Sequence, residues 1–121
     1  MQIETISGTN PPIAVVSGED GWVRDRQAVL ELIMTVRLET EADRMILDKR
    51  LFAEEFFHLS TGLAGELLQI FQNYRVKTAI YGEYTRYQSQ PLRDFIRESN
   101  RGHDVFFVET KEEAADRLGA N

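Results

Sequence analysis

Apolar positions recur at two spacings along this chain, and the switch between them marks out its elements. Two β-rich runs, 2–6 (QIETI) and 13–17 (IAVVS), flank SGTNPP, whose Gly, Asn and Pro compose a turn. They predict a loose hairpin, with GEDG (18–21) ending its second strand. From about Val23 to Glu39 the spacing becomes i, i+3, i+4, i+7, carried by Val29, Leu32, Ile33 and Val36, which predicts a helix. Leu30, Met34 and Leu38 add a second stripe on an adjacent face, broader than one sheet contact requires. RMILD (44–48) predicts a strand, and KRLFAEEFFHL (49–59) is ambiguous, with room for a helical turn around Ala53 to Phe57. Leu63, Leu67, Ile70, Phe71 and Tyr74 predict a second helix whose first turn carries Ser60, Thr61, Gly62 and Gly65. KTAIYGEY (77–84) reads as a strand with Gly82 near its end. Ser89, Pro91 and Gly102 bracket a third helix over 89–102. DVFFVE (104–109) follows as a strand, and Thr110-x-x-Glu113 is a capping box opening a last helix that runs to about Leu118.

The resulting order is β-β-α-β-α-β-α-β-α. Strands that alternate with helices pair in parallel through crossovers, and MIL, AIY and VFFV suit strands covered on both faces. The expectation is one α/β domain over 1–121, with a mixed, mostly parallel sheet of about five strands and about four helices. No internal repeat or long linker divides the chain. In such sheets ligands sit beyond the carboxyl ends of the strands, an edge that gathers Ser17, Gly18, Asp48, Ser60, Thr61, Gly82 and Glu83.

Composition narrows the function classes. The chain has no cysteine, which removes disulfides, cysteine catalysis and thiolate zinc sites and fits a cytoplasmic setting. Its start, MQIETISGTN, lacks the basic and apolar regions of a secretory leader, and no segment approaches the roughly 18 apolar residues of a membrane span. A net charge of -6 argues against nucleic-acid binding, where phosphate contacts dominate affinity. Neither a membrane nor a cofactor is expected.

The chemistry-bearing residues each admit an ordinary structural account. Ser60 and Thr61 stand where hydroxyls cap a helix, and also where exposed N–H groups attract anions. Gly62 and Gly65 weaken a helix by about 1 kcal/mol each relative to alanine. Close packing against a strand is one reason for them, and approach by a partner is another. Glu54 and His58 are four apart but lack a third ligand, so no metal is expected. HLSTG lacks the first glycine of a nucleophile elbow, and STGLAGE lacks the spacing and lysine of a phosphate loop. Arg93, Arg97 and Arg101 form one stripe, read as a solvated face or as a surface for an acidic or phosphorylated ligand. Phe56 and Phe57 are adjacent, so both enter the core or one meets a second subunit.

The element order, with hydroxyl–hydroxyl–Gly–Leu opening the second helix, resembles the STAS fold of anti-sigma-factor antagonists. In those proteins a strand ending in aspartate leads to Asp-Ser-Ser-Gly-Leu, and a kinase phosphorylates the first serine. The matching stretch runs from MILD through LSTGL to KTAIYG. The resemblance sets Ser60 on the phospho-acceptor, Thr61 on the second serine, Gly62-Leu63 on Gly-Leu and Asp48 near the strand-end aspartate, with Leu59 replacing the aspartate before the acceptor. FFHLSTGLAGELLQIFQNYRVKTAIYG and LRDFIRESNRGHDVFFVET also resemble a family of small bacterial proteins of unknown function. These likenesses imply a non-enzymatic regulatory or protein-binding module that presents Ser60, Thr61 and Gly62, with Gly65 beside them, to an unidentified protein partner. The breadth of the first helix adds a homodimer to the expectations. The alternative is a small-molecule binder or weak enzyme built on the carboxylates Asp48 and Glu83, with Ser17 and Gly82 at the same strand ends.

Overall fold

The computed structural model describes residues 1–6, 8, 9 and 11–119. The strands β1 (Gln2–Thr5) and β2 (Ile13–Ser17) pair antiparallel, with Ile3 opposite Val16. Then follow α1 (Arg26–Thr40), β3 (Arg44–Asp48), α2 (Leu63–Asn73), β4 (Lys77–Tyr81), α3 (Gln90–Arg101), β5 (Val105–Val108) and α4 (Lys111–Gly119). The five strands stand side by side in chain order, and β2 through β5 run parallel. The α/β class, the mixed five-stranded sheet and the order of its elements are those expected.

Period-two alternation splits the strand side chains between two cores. Ala14, Val16, Met45, Leu47, Ile80 and Phe107 face the larger one, which receives Val29 and Ile33 of α1, Leu67 and Phe71 of α2 and Leu92 of α3. Ile13, Ile46, Ala79 and Phe106 face the smaller one, closed by Ala114 and Leu118 of α4. Three helices therefore cover one face and a single helix covers the other. The near-continuous apolar runs of β3, β4 and β5 follow from being covered on both sides.

Three boundaries differ from expectation. Asp25 caps α1 by accepting from Ala28 N, so Val23 is excluded from the helix. Val23 instead forms a parallel bridge to Phe52, donating to Leu51 O at 2.7 Å. The fourth strand ends at Tyr81 rather than Tyr84, because Gly82 turns the chain with φ 156°. The ambiguous segment is a series of short 3-10 turns, Lys49–Leu51, Glu54–Phe57 and Leu59–Thr61, and α2 begins only after Gly62.

Those turns bury both Phe56 and Phe57, so neither is left to meet a second subunit. In the tight turn successive side chains diverge by about 120°. The two rings still share one cluster, 5.0 Å apart, with Phe52 4.5 Å from Phe56 on one side and Tyr87 5.1 Å from Phe57 on the other.

Candidate functional site

The parallel strands deliver their carboxyl ends to one edge of the sheet. Asp48 is paired in register with Tyr81, and Tyr81 with Val108. Asp48 ends β3 and caps the turn that follows. One carboxylate oxygen accepts from Arg50 N at 2.9 Å, and the other accepts from Arg50 Nη2 at 3.0 Å and from the Tyr81 hydroxyl at 3.3 Å. Burial pushes its pKa upward, but the donors from Arg50 and Tyr81 outweigh that and hold it below the ordinary carboxylate value. Burial and the neighbouring Asp48 charge raise the Tyr81 phenol.

Gly82 follows Tyr81, where a Cβ would lie 2.7 Å from Lys49 Cβ. The missing side chain lets the Lys49 stem lie against the end of β4. Its ammonium then sits in an aromatic cage, 4.7 Å from the Tyr87 ring centroid, 5.4 Å from Phe57 and 5.8 Å from Tyr84. Such contacts are attractive, by about 0.5–2 kcal/mol each according to exposure. Tyr84 is braced in turn, its hydroxyl donating to Ile80 O at 2.9 Å, and desolvation drives its pKa far upward.

Glu83 accepts from both the backbone N–H and the hydroxyl of Thr85, which lowers its pKa although it is fully exposed. Asp48, Gly82 and Glu83 line one crevice of about 540 Å³ with Glu109 and Thr110. The two carboxylates named by the small-molecule alternative thus line one crevice. Both are shifted downward, however, whereas acid–base work at neutral pH needs one of them raised.

The other expected site residues fall elsewhere. Ser17 lines a separate cleft of about 230 Å³ with Gly18, Trp22 and Leu51. Ser60, Thr61 and Gly62 are exposed at the approach to α2. The Thr61 hydroxyl donates within its own turn, to His58 O and Glu55 O at 2.9 Å, and accepts from Leu63 N at 3.2 Å. Thr61 therefore steadies the helix start from outside it. Gly62 occupies the cap position with φ 78°, a conformation natural to glycine. Gly65 is exposed in the first turn of α2 and lines a groove against α3. A Cβ at either glycine would meet nothing within 4 Å, which corrects the expectation of close packing against a strand. Glu54 pairs with Arg86 at 3.2 Å rather than with His58. Among the described residues no three His, Asp or Glu side chains are grouped to hold a metal.

Sequence reasoning missed the Lys49 cage and the Arg50 and Tyr81 partners of Asp48. A signal was available in YGEYTRY (81–87), three tyrosines in seven residues immediately after a strand end. A strand drawn through Tyr84 hid it, because that assignment spread the tyrosines over two sheet faces.

No curated protein and no solved structure matches the chain. A family model described as a domain of unknown function (DUF4180) matches residues 8–118, which include both cores, the Asp48 crevice and the Ser60 turn. With that match covering nearly its whole length, the chain belongs to the DUF4180 family.

Proposed function

We propose that this domain is a non-enzymatic, STAS-like regulatory module that presents Ser60, Thr61, Gly62 and the first turn of α2 to a protein partner. The observation that carries the proposal is Gly65. It stands in a helix at a cost of about 1 kcal/mol relative to alanine, yet it has an ordinary negative φ and no neighbour that a Cβ would strike. Close approach by something outside the molecule accounts for it. Ser60, in the turn that leads into α2, is exposed and makes no hydrogen bond from its hydroxyl to any described residue, whereas the Thr61 hydroxyl is occupied. Phosphorylation therefore belongs to Ser60, where it adds a charge of about -1.5 to -2. Leu59 replaces the aspartate of the antagonist pattern and packs against the core, so the turn is anchored by burial. The cysteine-free composition supports a cytoplasmic setting.

Affinity capture tests this surface with four proteins: wild type, Ser60→Asp, Gly65→Arg and the distant control Glu112→Lys, exposed on α4 at the other face of the sheet. A partner held by wild type and control, lost by the other two, and rebound when purified is the expected outcome. Equal capture by all four removes the surface from consideration. Gly65→Arg serves better than a change at Gly62, whose positive φ would add strain.

The second reading places a small molecule at the crevice shared by Asp48 and Glu83, and their common lining supports it as a binding site. Self-association through α1 completes the proposal, because Met34 and Leu38 keep 50% and 81% of their surface exposed.

A further inference from the structure

We propose that the trough between α3 and the loop after β4 binds a small phosphorylated ligand with a ring body, as in a nucleoside diphosphate. Its phosphates would be held by Arg93, Arg97 and Arg101. This trough encloses about 700 Å³, within the roughly 300–1,000 Å³ of small-molecule sites and more than a lone anion needs. All three arginines line it, along one face of α3 and about 6 Å apart along the axis by helical rise.

A solvated face is the ordinary fate of such a stripe, but three features set this one apart. First, its cations are mostly uncommitted. Arg97 pairs with Asp94 at 3.0 Å, whereas the side chains of Arg93 and Arg101 make no ion pair or hydrogen bond with the described residues. Second, Arg93, at the amino-terminal end of the stripe, opposes local stability, whereas Arg101 in the last turn suits the helix dipole. Like charges four apart cost a few tenths of a kcal/mol, and Arg93 lies in the first turn of α3, where the helix dipole disfavours a cation. Third, the opposite wall carries two braced aromatic rings beside Thr85 and Gln88. Tyr84 and Tyr87 line the trough across from Ile96 of α3, and both rings are held by Phe57 and Lys49, with the Arg86 guanidinium also 4.8 Å from the Tyr87 ring centroid.

Guanidinium forks bind phosphate oxygens in pairs, and a fixed wall lowers the ordering cost of binding a flat group. Glu109 also lines the trough and would repel phosphate, so it suits a ligand hydroxyl instead. A phosphate at one part, a hydroxylated ring at another and an apolar contact between them describe a nucleotide better than an acidic side chain.

Isothermal titration with ADP, pyrophosphate and adenosine tests this. ADP is expected to bind saturably and at least tenfold more tightly than either fragment. Arg93→Gln combined with Arg101→Gln should weaken ADP at least tenfold without lowering the thermal midpoint, since both side chains are exposed. Ser60→Asp should leave ADP binding unaltered, which separates this site from the partner surface. Absence of saturable ADP binding overturns the proposal, as does equal binding by the double variant. Pyrophosphate or adenosine binding as tightly as ADP overturns it too, by removing the need for one half of the site.

Discussion

Gly65 and Gly82 are both glycines beside the expected site, yet their surroundings predict opposite responses to a methyl group. At Gly82 a Cβ would sit 2.7 Å from Lys49 Cβ, and the φ of 156° is one that side chains rarely adopt. Gly82→Ala should therefore cost about 1–3 kcal/mol, the usual range for strained backbone or overpacking. At Gly65 nothing opposes the methyl and the helix gains propensity, so Gly65→Ala should stabilise by up to about 1 kcal/mol. Urea melts of the two variants beside wild type measure both signs. Asp48 supplies a pH-dependent test. Its pKa is lowered in the folded protein, so the unfolded chain takes up a proton at higher pH than the native one does. Its contribution is complete above the unfolded value of about 3.9 and disappears as pH falls through the lower folded value. The stability difference between wild type and Asp48→Asn should be constant near neutrality and should shrink below about pH 4. A difference independent of pH down to the acid transition would mean that the Arg50 and Tyr81 contacts do not favour the charged form.

The elements show what sequence patterns reveal and what they hide. Apolar periodicity identified every strand and α-helix, and capping residues located the starts of α3 and α4, because the capping of orphan N–H groups is decided locally. Ser89 accepts from Leu92 N and Thr110 from Glu113 N, as their positions imply. The segment from Lys49 to Thr61 was illegible, because its 3-10 turns are held by tertiary contacts and not by any period. Val23 is bridged to Phe52, and Phe56 is packed on Phe107, residues distant in the chain. The site was half legible for the same reason. The carboxyl-edge rule brought Asp48 together with Glu83, while the Lys49 cage depends on a glycine contact across two strands. One device at the sheet edge was equally hidden. β5 is an edge strand, and Asn100 of α3 covers its outward backbone, accepting from Phe107 N at 2.7 Å and donating to Phe107 O at 3.0 Å. Uncovered edges invite pairing with other chains. Asn100→Ala should destabilise by about 1–3 kcal/mol through unsatisfied backbone groups. It should also raise light scattering on heating above that of wild type; unchanged stability and scattering would show the edge is protected without it.

At the scale of the whole molecule, the uneven covering of the sheet determines which surfaces are free to meet a partner. α1 closes the larger core with Val29, Leu32, Ile33 and Val36, all buried, and Leu30 packs against the same core at its margin. The second stripe is thereby shortened to Met34 and Leu38, four residues apart on the outer face. Arg37 lies between them in sequence and sits over the ring of Tyr74, itself 39% exposed, which extends the patch toward the end of α2. Burying a leucine or methionine side chain gains about 1.5–3 kcal/mol. A twofold contact would bury both residues from each subunit, and the remaining area has to come from polar surroundings if the interface is to reach about 1,000 Å². Such a balance predicts a dimer that dissociates in the micromolar range rather than an obligate one. Sedimentation equilibrium over that range should show mass rising from 13.9 kDa toward twice that value. Leu38→Glu should abolish the rise while leaving the circular dichroism and urea midpoint intact, because Leu38 contributes 81% of its surface to solvent in the single chain. A mass of 13.9 kDa at every concentration would refute the dimer and leave the outer face of α1 as ordinary exposed surface.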